Sequence, residues 1–182
     1  QGLIELIIDD NNQVTKRCIK LDGKSNLVIE TSDQLITSVQ EPQGNFLLFF
    51  NKDGTLTQRI QTLYFYSFGT LDQGTLLLSS FDDGVDSAYH LESQTWVTKV
   101  HQRDDIEGKG RSHFMRRIKD KILSVDNALQ QIYAYSDETL QHCDVTNFEK
   151  GLNIRLLSYD EERDRLFLNT ELTNELFVLE AN

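Results

Sequence analysis

Four stretches of this sequence share one design, and their spacing constrains the fold more than any other feature. "LITSVQEPQGNFLLFF", "TLLLSSFDDGVDSAYHL", "KILSVDNALQQIYAY" and "RLFLNTELTNELFVL" each run as a strand ending near Ser, Asn or Asp, a polar turn, and a strand with aromatics. Taken from Ile36 to Leu77, Leu123 and Phe167, the steps are 41, 46 and 44 residues. That is the length of a four-stranded propeller blade. A further short strand precedes each pair ("NLVIE", "LYFYSF", "HFMRRI", "NIRLLSY"), and a fourth follows the first three ("LTQRIQ", "WVTKV", "LQHCDV").

Apolar runs this short, rich in Leu, Ile, Val, Phe and Tyr and separated by turn residues, predict an all-β chain. The segment closest to helical periodicity, "SHFMRRIKDKILSV", carries Asp120 and Lys121 where a hairpin turn serves better. The expected architecture is a β-propeller of four-stranded antiparallel blades, the first strand of each innermost. Its blades run over 1–22 (incomplete), 23–61, 62–100, 110–145 and 151–182 (incomplete). Evenly spaced strands also suit a β-sandwich, but the four copies keep their strand types in the same order. A seven-bladed ring needs about 310 residues, so about four blades are expected here. The remainder would come from further chain, or from self-association that covers the open sheet edges. The opening "QGLIELIID" starts inside a strand without a methionine, which reads as a fragment.

The net charge of -11 provides no basic stripe for nucleic acid. An anionic small molecule remains compatible, because a few local arginines override the global sign. No apolar run approaches a membrane span, so no membrane partner is expected. Cys18 and Cys143 lack metal or disulfide spacing and read as buried or half-buried thiols of a reducing cytoplasm.

Two motif groups point to a family. "GRSHFMRRIKDKILSVDNALQQIYAY" is similar to a pattern P-H-x-H-S, strand, turn, strand, D-L-G, with His113 on the second histidine and Asp126 on the aspartate. "GLNIRLLSYDEERDRLFLNTELTNELFVL" is similar to G-x-P-R-H, strand, N-E-L, with Gly151, Arg155 and Glu171 in register. Together they resemble the seven-bladed propeller lactonases of the 6-phosphogluconolactonase type. Ile154 stands in place of the proline, Leu156 of the histidine and Thr170 of the asparagine.

The resemblance implies hydrolysis of a sugar lactone, 6-phosphogluconolactone foremost, in the cytoplasm, with His113, Arg155 and Glu171 as catalytic residues and no cofactor or metal. His101 falls where the family often has a histidine, and Arg111 opens a basic strand with Arg116, Arg117 and Lys119; both are expected substrate-binding residues. Lactone opening needs a base for water and a positive group for the developing oxyanion. Arg155 suits the oxyanion or a substrate carboxylate through its paired donors. A non-catalytic propeller that binds partners over its rim, and a muconate-type lactonising enzyme using the same pocket in reverse, are the alternatives.

Overall fold

A computed structural model describes residues 2–8, 13–101, 112–149, 153–160, 162, 163, 165–170 and 176–180. Among them every regular element is a strand, in antiparallel meanders. Two compact units divide the chain, residues 1–67 and 68–182.

In the first unit β1 (Gly2–Ile8) pairs with β2 (Val14–Lys20). A four-stranded sheet follows: β3 (Lys24–Glu30), β4 (Gln34–Glu41), β5 (Gly44–Asn51) and β6 (Leu56–Thr62). Its middle strands are the most apolar and the most buried. Leu35, Val39, Phe46, Leu48 and Phe50 form one core with Ile19 of β2 and Leu21. Cys18, expected to be sheltered, is exposed on β2, because strand alternation sends its neighbour Ile19 to the core instead.

The second unit holds two four-stranded sheets and a three-stranded one. The first is β7 (Phe68–Asp72), β8 (Thr75–Ser80), β9 (Val85–His90) and β10 (Thr95–Val100). The second is β11 (Ser112–Ile118), β12 (Lys121–Asp126), β13 (Gln131–Tyr135) and β14 (Cys143–Asn147). The third is β15 (Ile154–Asp160), β16 (Arg165–Thr170) and β17 (Leu176–Glu180).

Every residue of β8 is buried, and Leu76, Leu77 and Leu78 are wholly so. A strand covered on both faces can be apolar throughout, which explains why "TLLLSS" does not alternate. Each of these leucines contributes roughly 1.5–3 kcal/mol on burial. Successive sheets pack face to face: Leu77 and Ala88 meet Met115, Ile122, Tyr135 and Leu140, and Val125 and Ile132 meet Ile154.

The β7–β8 hairpin turns on Gln73 and Gly74, both at positive φ (44° and 79°). A two-residue turn of this hand matches the strand twist, and glycine takes its second position without strain. Arg117, placed by sequence in a basic strand, donates to Asp72 of the preceding sheet and to Glu138 beyond β13. It ties two sheets together.

Candidate functional site

Two of the expected site residues share an unusual backbone position. In β11, Ser112 faces Asp126 and Phe114 faces Val125, which leaves His113 as the extra residue of a β-bulge. In β15, Ile154 faces Thr170 and Leu156 faces Asn169, which leaves Arg155 as the extra residue. Counted from the hairpin turn, the two bulges lie at the same depth. Phe114–Ile118 pairs with Lys121–Val125 in one sheet, and Leu156–Asp160 with Arg165–Asn169 in the next. A bulge bends its strand and increases the local twist. A third shift falls between Ser25 and Leu27, at Asn26 of β3, where a cavity of about 530 Å³ opens in the first unit.

Beside the His113 bulge lies a buried polar cluster. His101, in the link after β10, is 3% exposed, and its backbone N–H donates to the Gly84 carbonyl at 2.8 Å. Its Nε2 meets Asp86 Oδ2 at 2.8 Å, and its Nδ1 faces Asp126 Oδ2 at 3.3 Å. Tyr135 donates its hydroxyl to the same Asp86 oxygen at 3.1 Å, and Ser79 donates to Asp86 Oδ1 at 3.0 Å. Asp126 also holds the turn after β12, its Oδ1 accepting the backbone N–H groups of Ala128 and Leu129 at 2.8 Å each. The Tyr133 ring stands edge-on to the imidazole, 4.2 Å between centroids.

Burial by itself would push the His101 imidazole down, but the Asp126 and Asp86 carboxylates facing its two nitrogens outweigh it and raise it to about 9. Burial, followed by the nearby carboxylates, pushes the Tyr133 and Tyr135 phenols up, so both stay neutral. The result is an imidazolium between two carboxylates, its Nε2 hydrogen-bonded to Asp86 and its Nδ1 in ionic contact with Asp126 without hydrogen-bond geometry. Among the described residues no group of His, Cys, Asp and Glu is arranged to hold a metal.

This arrangement makes stability depend on pH. A histidine raised from 6.5 to about 9 on folding contributes its full share below about pH 6.5, and the share is lost as pH rises through 9. The shift corresponds to roughly 3 kcal/mol. Calorimetric melting between pH 6 and 10 should show the melting temperature falling across this window. A flat profile there would contradict the imidazolium.

His101, expected as a substrate contact, lies in the core with both ring nitrogens turned to carboxylates inside the fold. His113 and Arg155 are placed by their strand backbones, as above. Arg111 and Glu171 lie outside the described residues. Asp86 escaped the sequence reading, although a signal was present: an acidic residue inside the apolar strand "VDSAYHL" requires a buried partner.

No known family profile and no curated protein matches the sequence. Several solved structures share its fold. A candidate 6-phosphogluconolactonase from Bacteroides uniformis superposes with a TM-score of 0.69 at 13% identity, covering 92% of this chain and 57% of that one. The β-propeller domain of Cps50 (Swd1) from Myceliophteria thermophila gives 0.63 at 13% identity, covering 93% and 60%. Dihydro-heme d1 dehydrogenase NirN gives 0.66 at 14% identity, covering 100% and 43%. The chain thus spans about half the length of these proteins. The fold class is β-propeller, built from four-stranded antiparallel sheets.

Proposed function

We propose that this chain belongs to a propeller lactonase that opens a sugar lactone, with 6-phosphogluconolactone as the first candidate. The observation that carries the reading is the shared bulge. The two residues singled out by motif register, His113 and Arg155, occupy the same extra position in successive sheets. A like bulge at Asn26 of β3 marks the kink as a recurrent feature of these first strands, so what supports the reading is that the motif register sets a histidine and an arginine on it. The structural likeness to a candidate 6-phosphogluconolactonase supports the same reading.

In this reaction a base removes a proton from water while the water oxygen adds to the lactone carbonyl. The ring C–O bond then breaks, and the ring oxygen takes a proton to give the hydroxy acid. His113 serves as the proton-transfer residue. Arg155 stabilises the oxyanion, oriented by Glu171. A positioned base contributes ~10²–10⁴-fold and a donor at the oxyanion a few kcal/mol more.

The test is the opening of 6-phosphogluconolactone by the full-length protein, measured against spontaneous hydrolysis. Acceleration in proportion to protein concentration is the expected result. A folded protein that leaves the spontaneous rate unchanged overturns the proposal. One observation favours a second reading, the non-catalytic scaffold: His101, which falls where the family often has a histidine, is sealed into the core. That reading predicts the spontaneous rate.

A further inference from the structure

We infer that Asn127 is a positioning residue for Arg155, fixing the backbone just before the Arg155 bulge relative to the bulge that carries His113. The inference rests on the function proposed above. Asn127 Nδ2 donates to the Ile154 carbonyl at 2.9 Å, and Asn127 Oδ1 accepts the Ile154 N–H at 2.8 Å. One side-chain amide thus satisfies both backbone groups of the residue preceding Arg155, 27 positions along the chain. β15 is the first strand of its sheet, and its free side has no strand partner in that sheet. The Asn127 amide does for one residue what a neighbouring strand would do for many.

The other end of the link is equally fixed. Asn127 follows Asp126, whose backbone is paired with Ser112, the residue before His113. Asp126 Oδ1 holds the turn through Ala128 N and Leu129 N, and its other oxygen faces His101. Gln130 Nε2 donates to the Asn127 carbonyl at 3.0 Å, closing the turn from behind. A single rigid turn therefore touches the chain one residue before each of the two bulges.

A chemical reason for the amide lies in the motif itself. The pattern this chain resembles has proline before the arginine and leucine after the aspartate; here the positions hold Ile154 and Asn127. Proline fixes φ and has no N–H. Isoleucine frees φ and adds a donor that, at 1% exposure, must find an acceptor. Asn127 supplies that acceptor.

The experiment uses full-length protein with 6-phosphogluconolactone as the probe. Asn127→Leu is expected to lower kcat/KM about 10²-fold, the cost of displacing a group by about 1 Å. The double variant Asn127→Leu/Ile154→Pro, which restores the ring constraint, should recover about 10-fold of that loss. Arg117→Met, which removes the Asp72 and Glu138 ion pairs from the same sheet, separates stability from positioning. It should lower the melting temperature and leave kcat/KM within about 2-fold below that temperature. Wild-type kcat/KM in Asn127→Leu, a loss matched by Arg117→Met, or no recovery in the double variant would each overturn the inference. Should Asn127→Leu fail to fold, Asn127→Asp keeps the acceptor, lacks the donor, and should show an intermediate loss. If the wild type turns over no lactone, the proposed function falls and the clamp is judged by hydrogen exchange at the Ile154 amide. Protection in the wild type that Asn127→Leu abolishes supports it, and an unprotected wild-type amide refutes it.

Discussion

His101→Ala should destabilise the protein by about 3–5 kcal/mol, the cost of breaking a buried ion pair by removing one partner. Two carboxylates, Asp86 and Asp126, would then face each other across a cavity with no cation between them. Ser79 and Tyr135 donate to Asp86, and the turn amides donate to Asp126, so each keeps part of its hydrogen bonding. None of these donors supplies the missing charge. For a chain of this length 1 kcal/mol corresponds to about 2–4 °C in melting temperature, giving a loss of roughly 6–20 °C. The slope of stability between pH 6.5 and 9 should vanish in the same variant. A loss below about 2 °C together with an unchanged pH slope would show that His101 does not bind the two sheets electrostatically.

The second large effect concerns the proposed chemistry. Arg155→Ala should lower kcat/KM for 6-phosphogluconolactone by at least ~10²-fold, because a donor at the oxyanion contributes a few kcal/mol. KM should rise as well, since an arginine that grips the substrate acts in the ground state and in the transition state. Glu171→Gln, which leaves Arg155 unoriented, should lower kcat/KM by ~10²-fold, the cost of misplacing a positioned group, and raise KM in the same direction. Both variants should melt with the wild type. Unchanged kcat/KM in either one removes that residue from the mechanism.

The fold was legible in the sequence because its elements are local and repeated. Strand, turn and strand recur at a spacing that only a few architectures share, and each turn carries its own chemistry, as at Gln73-Gly74. The candidate site was legible only in outline. Motif register picked out His113 and Arg155, but no glycine or other signal marks the bulges, which arise from pairing with β12 and β16. The burial of His101 was not legible, because burial is a tertiary property. Asp86 lies 15 residues before it and Asp126 comes from the next sheet. Asn127 has the chemistry of a turn residue, and its partner is 27 positions away. Long-range hydrogen bonds of this kind leave no periodicity.

The His101 cluster also imposes an order on how the chain is made. During synthesis Asp86 leaves the ribosome first, His101 follows 15 residues later, and Tyr135 arrives 49 residues after Asp86. Sheet β7–β10 can complete its strand pairing by Val100, but burying Asp86 at that stage would strand a carboxylate in an apolar core. The nascent sheet therefore has reason to stay loosely closed until its countercharge has emerged, and the imidazolium is fully clasped only once Asp126 follows. The β7–β10 sheet is thereby tied to the β11–β14 sheet that follows it. In a repeat array, whose characteristic failure is docking the wrong neighbour, this dependence acts as a checkpoint: only a sheet that brings a carboxylate to the free side of His101 completes the core.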